Sequence, residues 1–111
     1  MRRLITVLAL ASATSVAAQD WVPMTAAEIT QALTDQTYEY AEAWQEFRAS
    51  GRTLYNAGRD SWGYWAVRGD QYCSQWPPGD QWDCYDMEQA GPGLIRFVAS
   101  DGSATVGQLQ Q

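Results

Sequence analysis

Histidine and lysine are both missing from the 111 residues of this chain. Without histidine, the Ser-His-Asp and Cys-His arrangements of nucleophilic catalysis are excluded, as are the usual catalytic zinc sites. Without lysine, Schiff-base chemistry and the phosphate-binding P-loop are excluded. No GxGxxG motif follows a predicted strand, so a dinucleotide fold is not indicated. We therefore expect a protein that is not an enzyme and that holds no cofactor or metal.

The N-terminus has the pattern of an export signal over residues 1–18. Two arginines precede the almost wholly apolar stretch 4–13, and small residues follow it. This stretch is shorter than the about 20 residues that a membrane-spanning helix needs. We expect cleavage between Ala18 and Gln19, a location in the periplasm or outside the cell, and one domain over residues 19–111. The alternatives are an uncleaved anchor or a buried helix.

Acidic residues outnumber basic ones throughout the chain. The net charge is −6, and removal of the two signal arginines lowers the basic count from 7 to 5 against 13 acidic residues, a net charge of −8. Nucleic acids and anionic membrane surfaces bind basic residues, so neither is an expected partner. The expected partner is a protein or a small ligand.

Two cysteines in a small exported domain predict a disulfide between Cys73 and Cys84. Opposed residues of a hairpin have a constant sum of positions, and this pair places the turn between Pro78 and Gly79. The same register predicts that Tyr72 faces Tyr85 and that Trp76 faces Gln81. A disulfide in this register requires a Cα separation below about 7 Å. A redox-active or metal-binding cysteine pair is the alternative.

The remaining pattern predicts one short helix and a series of strands. Residues 19–23 are an irregular lead-in, and Thr25 with Glu28 forms a capping-box pattern that begins a helix of about ten residues. Alternating aromatic and β-branched residues with frequent turn signals then predict strands. They start with a strand holding Tyr38 and Tyr40 and continue over residues 44–49, 52–57, 62–67, 70–76, 82–88, 94–99 and 104–109. Short connections favour an antiparallel up-and-down meander of seven to eight strands, forming a small barrel or a strongly bent sheet.

The stapled hairpin is rich in rigid side chains, as binding surfaces often are. Its candidate binding surface is formed by Tyr72, Trp76, Pro77, Pro78, Trp82 and Tyr85, with Trp76 expected to be the most exposed ring. The alternative is that these rings build the core. The residues assigned mostly to the core and its lining are Trp44, Phe47, Leu54, Trp62, Trp65, Val67, Ile95 and Phe97.

Carboxylates are the remaining side chains that could support catalysis or metal binding. They cluster around the sixth predicted strand at Asp80, Asp83, Asp86 and Glu88. A pair of carboxylates at the right separation can hydrolyse a sugar, and carboxylate oxygens can bind calcium. However, alternation places Asp83 and Asp86 on opposite faces, so we expect a solvated rim. The arginines are scattered, and we expect them to pair with acids at the surface.

Several spaced motifs carry a resemblance to a known group. They are Phe47, Gly51, Thr53 and Tyr55 in one hairpin, Gly63 and Trp65 in the next strand, the segments 69–73 and 84–85 around the cysteines, and the segment 95–97. This order resembles small exported proteins of Gram-negative bacteria whose function is unknown, over residues 24–108. The resemblance implies the architecture and no activity. The overall plan is also similar to that of small periplasmic β-barrel inhibitors of lysozyme, although no inhibitory loop corresponds residue by residue.

The leading hypothesis is a non-enzymatic binding module that engages a protein or small ligand through the aromatic hairpin. One alternative is a periplasmic inhibitor of a hydrolase such as lysozyme. Another is a carboxylate-dependent enzyme acting on cell-wall sugars. An enzyme requires two carboxylates that converge in a concave site, whereas a binding module requires an accessible aromatic patch.

Overall fold

The computed structural model describes residues 20–111, so the predicted export signal and its cleavage site lie outside the described residues. Nine strands and one helix follow one another along this part of the chain. They are β1 (Val22–Pro23), α1 (Ala26–Leu33), β2 (Gln36–Glu39), β3 (Trp44–Phe47), β4 (Arg52–Asn56), β5 (Asp60–Arg68), β6 (Gln71–Gln75), β7 (Asp83–Gln89), β8 (Leu94–Val98) and β9 (Ala104–Leu109). The prediction of a mainly β protein with one short helix is confirmed.

The strands β2 to β9 form a closed antiparallel barrel. Each pairs with the next along the chain, as an up-and-down meander requires. The barrel closes where β9 pairs with β2, through Tyr38 opposite Leu109 and Glu39 opposite Gln108. Closure leaves none of these eight strands as an open sheet edge, because each has a partner on both sides.

The lead-in predicted to be irregular contains a short strand. Val22 lies opposite Gln89 and Pro23 opposite Glu88, so β1 adds to β7 beyond the end of its pairing with β6. The prediction was wrong because this pairing is entirely long-range. Two residues produce no periodic pattern of their own, and the partner strand lies more than sixty positions away.

The predicted register of the cysteine hairpin is confirmed. Cys73 lies opposite Cys84 and Tyr72 opposite Tyr85. The two cysteines form a disulfide with a Cα–Cα distance of 4.0 Å. A crosslink closing a loop of this length stabilises a domain by about 3 kcal/mol when its effect is ascribed to unfolded-chain entropy.

The ladder between β6 and β7 is shorter than predicted. Its last pair is Ser74 with Asp83, so Trp76 and Gln81 are not paired. The chain turns instead through hydrogen bonds from Gly79 N to Trp76 O (3.0 Å) and from Gln75 Nε2 to Asp80 O (2.8 Å). Trp76 therefore lies outside this ladder, and the pairing of β6 with β7 does not set the orientation of its ring.

Helix α1 begins with the predicted capping box. Thr25 Oγ1 accepts a hydrogen bond from Glu28 N (3.2 Å), and Glu28 Oε1 accepts one from Thr25 N (2.9 Å). These bonds satisfy backbone donors that the first turn of a helix leaves without partners. A helix of eight residues is unstable alone, so its place depends on the fully buried Ile29 and Leu33.

The helix closes one end of the barrel. Ala26 N donates to Asp70 Oδ1 in the β5–β6 turn (2.7 Å), and Asp35 Oδ1 accepts from Ala49 N in the β3–β4 turn (3.0 Å). Tyr38, the first inward ring of β2, donates its hydroxyl to the carbonyl of Ala32 (2.9 Å). We call this the closed end, and the end formed by the β2–β3, β4–β5, β6–β7 and β8–β9 loops the open end.

Most of the predicted core residues lie in the barrel interior or beside it. Phe47, Leu54, Trp65, Ile95 and Phe97 are buried, and Val67 packs partly buried against the core. Trp44 is half-buried. Trp62 was assigned wrongly: its side chain is 37 % exposed, because it lies three positions from the inward Trp65 and therefore on the opposite face of β5.

Candidate functional site: the aromatic mouth of the barrel

A cavity of about 650 Å³ lies in the open end of the barrel. It is lined by inward residues of β4 and β6 and by residues 41–43 of the β2–β3 loop. Tyr40, which directly precedes this loop segment, also lines it. Its volume lies within the range of about 300–1,000 Å³ that small-molecule sites occupy. The helix seals the opposite end, so this space communicates with solvent through the open end.

Six aromatic rings line the cavity, and we call them the aromatic belt. Its members are Tyr40, Tyr55, Tyr72, Trp76, Tyr85 and Phe97. The ring centroids follow one another at contact distance: Trp76 to Tyr55 at 6.1 Å, Tyr55 to Tyr40 at 6.3 Å, Tyr40 to Phe97 at 5.9 Å, Phe97 to Tyr85 at 6.4 Å and Tyr85 to Tyr72 at 6.0 Å. Because several pairs meet edge to face, each ring restrains its neighbour and the wall is preorganised.

The position of Trp76 depends on a glycine in the neighbouring wall. Gly63 is buried in β5, and a Cβ built there would lie 2.5 Å from Cε3 of Trp76 and 2.7 Å from Gln75 O. The indole therefore lies against bare backbone, and its Nε1 donates to Ser74 Oγ (3.2 Å). Any side chain at position 63 would push this ring toward the cavity.

A buried amide organises the floor of the cavity. Gln45 Oε1 accepts a hydrogen bond from the Tyr40 hydroxyl (2.7 Å), and Gln45 Nε2 donates to Thr53 Oγ1 (2.9 Å) and to the Tyr72 hydroxyl (3.2 Å). Thr53 in turn donates to the carbonyl of Glu46 (2.8 Å). The amide oxygen and both amide hydrogens of Gln45 thus have partners, which fixes the orientation of two rings of the belt.

Burial raises the pKa of three phenols of the belt, those of Tyr40, Tyr72 and Tyr85. It raises the pKa of Tyr72 to about 12, and it also raises the pKa of Tyr40, because a phenolate in either place would lose its hydration. The pKa of Tyr85 is also raised, first by burial and then by the charge of Asp83. These hydroxyls therefore act as neutral hydrogen-bonding groups at physiological pH.

Charge at the cavity is of one sign. Among the described lining residues, Glu42 in the β2–β3 loop is the only one with a formal charge. None of the four clustered carboxylates lines the cavity. Asp86 accepts a hydrogen bond from Gln71 Nε2 (3.0 Å), and Glu88 forms an ion pair with Arg96 at 2.6 Å.

The candidate binding surface is divided by the fold. Tyr72, Trp76 and Tyr85 meet in the aromatic belt. Trp76 is half-buried rather than the most exposed ring, since it folds inward over the glycine of β5. The remaining three residues lie outside the cavity: Pro77 and Pro78 are exposed at the tip, and Trp82 is half-buried beneath the guanidinium of Arg68 at 4.3 Å.

The arginines favour aromatic rings as much as acids. Arg48 pairs with Glu46, and Arg96 pairs with an acid as expected. Arg48 and Arg52 each lie 4.8 Å from the ring centroid of the exposed Trp62, and Arg52 also lies 5.6 Å from that of Tyr64. Tyr64 is 42 % exposed on the same outer face of the barrel. A second aromatic surface thus exists outside the barrel, with its rings covered by cations.

Sequence reasoning missed Tyr40, Glu42, Gln45 and Tyr55 as members of the site. Even spacing in the strand identifies Gln45 as sharing a face with the buried Phe47, which signals a buried amide in need of partners. No signal along the chain indicates that these residues meet Trp76. Their meeting depends on closure of the barrel.

Within residues 20–111, no three histidine, cysteine, aspartate or glutamate side chains come together as ligands for a metal ion. No helix of this same part of the chain is long and apolar enough to cross a membrane. Comparison of the chain with protein-family models, curated proteins and solved structures finds no match. The resemblance to exported proteins of unknown function therefore stays a prediction.

Proposed function

We propose that this protein is a non-enzymatic binding module of the periplasm or the cell exterior. It takes a small ligand into the aromatic mouth of the barrel, by which we mean the cavity that the aromatic belt lines at the open end. The observation that carries the proposal is the aromatic belt around an open cavity of about 650 Å³. Rigid rings lose little conformational entropy when a ligand contacts them, so such a wall favours binding.

The hydrogen bonds of the cavity support this proposal. Gln45 and Ser74 hold the polar atoms of Tyr40, Tyr72 and Trp76 within the protein before any ligand arrives. Preorganisation of this kind lowers the entropic cost of association. A folding core alone does not require an accessible cavity of this size.

The arrangement of carboxylates favours binding over catalysis. Acid–base hydrolysis of a sugar needs two carboxyl groups facing one reacting bond. In the described part of the chain, the cavity is lined by the single carboxyl group of Glu42. The disulfide supports an extracytoplasmic location, because such crosslinks persist in oxidising compartments.

The proposal is tested by recording ¹H–¹⁵N NMR spectra of the protein during titration with a set of small neutral, anionic and cationic compounds. We expect at least one compound to shift the indole N–H of Trp76. Trp76→Leu should weaken its binding by about tenfold. Trp62→Leu removes an indole from the outer face and should leave the affinity within about twofold. Shifts confined to the outer face, or no shift at the mouth with any compound, would contradict the proposal.

Inhibition of a hydrolase such as lysozyme is the second candidate, and one observation favours it. The tip of the β6–β7 hairpin, residues 77–81, is exposed, and the disulfide crosslinks the strands that carry it. A rigid exposed loop is suited to fill an active-site cleft. An inhibition assay on cell-wall hydrolases with the wild type and Asp80→Arg separates this candidate from ligand binding, because Asp80 lies outside the cavity lining.

A further inference from the structure

We infer that the aromatic mouth recognises an organic cation, with a methylated ammonium group as the chemical class that fits the belt best and Glu42 as the opposite charge at the rim. This inference rests on the proposed function and narrows it to a ligand class. Three features of the cavity support it: its aromatic rings, the negative charge of Glu42, and the hydrogen-bonding groups that are already paired within the protein.

The aromatic rings that line the cavity provide the binding surface. Trp76, Tyr55, Tyr40 and Phe97 follow one another around the wall with centroid separations of 5.9–6.3 Å. Aromatic rings carry negative potential on their faces, and several rings around one space attract a cation that enters it. A cation with methyl groups gains most, because it is weakly hydrated and also buries apolar surface.

The sign of the charge disfavours an anionic ligand. An anion in the cavity would meet Glu42 and would find no guanidinium among the described lining residues. The guanidiniums of Arg48, Arg52, Arg68 and Arg96 instead lie over the rings of Trp21, Trp62 and Trp82, outside the cavity. The loops of the open end add Asp80 and Asp101 against Arg59, so acids outnumber bases around the entrance.

The hydrogen bonds of the floor make a sugar a poorer fit. A polyhydroxylated ligand needs donors and acceptors that point into the site. Here the amide of Gln45 is fully engaged with Tyr40, Thr53 and Tyr72, and the indole N–H of Trp76 is directed to Ser74. What the wall presents at these positions is ring surface, which suits a ligand group without hydrogen-bond donors.

The test compares choline with 3,3-dimethylbutan-1-ol, which has the same shape but a carbon atom in place of the charged nitrogen. Binding of each to the purified protein is followed by isothermal calorimetry and by the shift of the Trp76 indole N–H. We expect choline to bind about tenfold more tightly than the neutral compound. This comparison requires no variant and so does not depend on whether a variant folds.

Two variants with matched controls identify the groups responsible. Tyr55→Leu removes a ring of the belt and should lower the affinity for choline about fivefold, whereas Tyr64→Leu on the outer face should leave it unchanged. Glu42→Gln should lower it about threefold and weaken its dependence on salt. Glu39→Gln makes the same change of charge on a residue that is absent from the cavity lining and should have little effect.

The outcomes separate this inference from the proposed function. Equal binding of choline and its neutral analogue, or binding of choline that neither variant weakens, overturns the assignment to a cation. The inference is also overturned if a neutral or anionic compound shifts the NMR signals of the aromatic belt and choline does not. The proposed function would then remain intact. If no compound shifts any residue of the belt, both are wrong.

Discussion

The two ends of the barrel are built on different principles. At the closed end, Met24, Ile29 and Leu33 bring aliphatic side chains against the inner rings of the barrel, and the helix excludes water. At the open end, phenols and an indole surround a cavity that a buried amide holds in shape. Aliphatic contacts tolerate many small readjustments, whereas hydrogen-bonded rings have few acceptable positions. The difference indicates that the closed end provides stability and the open end provides an accessible, ordered surface.

The largest expected effect lies at the closed end. Leu33→Ala removes a side chain that is completely buried and should lower the free energy of unfolding by about 3 kcal/mol. Urea denaturation followed by circular dichroism measures this loss. Tyr55→Leu at the open end, where the ring borders an existing cavity, should cost less than half as much. Equal losses would show that the two ends contribute equally to stability.

Glycines of the wall sharpen the contrast within the open end. Gly63→Ala should destabilise the protein by about 2 kcal/mol, because the new methyl group meets the indole of Trp76 and also the immobile carbonyl of Gln75. Gly107→Ala should cost less, since its three nearest atoms all belong to the side chains of Tyr40 and Tyr38, the closest 2.9 Å away, whereas at position 63 a backbone oxygen lies within 2.7 Å. Near-ultraviolet circular dichroism should report displacement of Trp76 in the first variant. The reverse order of stabilities would contradict this account.

Alkaline pH should act through the open end. The pKa of Tyr72 is raised to about 12 in the folded protein from 10.0 in the unfolded chain. The unfolded chain therefore loses its proton first, so the contribution of this phenol to stability is constant well below pH 10 and is lost as the pH rises from 10 toward 12. From this phenol alone, the free energy of unfolding should fall by about 1 kcal/mol between pH 9 and pH 11. Urea midpoints measure the slope, and Tyr72→Phe should reduce it. A slope that this variant leaves unchanged would assign the effect to other tyrosines.

The smallest expected effect tests whether the ends are independent. Thr25→Ala removes the N-cap of α1 and should cost about 1 kcal/mol, while Thr25→Ser should cost much less. Chemical shifts of the aromatic belt should stay unchanged in both variants. Movement of the Trp76 indole signal in Thr25→Ala would show that the helix and the mouth are coupled.

Local patterns were sufficient where neighbours along the chain decide the structure. The capping box at Thr25 and Glu28 formed as predicted, because each group finds its partner three residues away. The Cys73–Cys84 register was also predictable, since turn residues and a crosslink constrain one hairpin twice. The strand β1 had no such local constraint, and its pairing with β7 could not be inferred from two residues.

Trp62 and Trp76, whose exposure was predicted wrongly, illustrate a partial failure. Trp62 and Trp65 are separated by an odd number of positions, so strand alternation assigns them to opposite faces, and this information was available in the sequence. Trp76 shares the parity of Tyr72 and Ser74, which line the cavity. Its inward orientation nevertheless required the glycine in the adjacent strand, a contact between residues thirteen positions apart.

By itself, the sequence determined the class of fold, the short capped helix, the disulfide register, the excess of acid and the lack of histidine and lysine chemistry. Each of these depends on composition or on residues close together in the chain. Only the tertiary structure decided that the meander closes and that six separated rings surround one cavity. The reason is geometric: alternation specifies which face a side chain occupies, whereas closure and the position of α1 specify which residues meet and which end stays open.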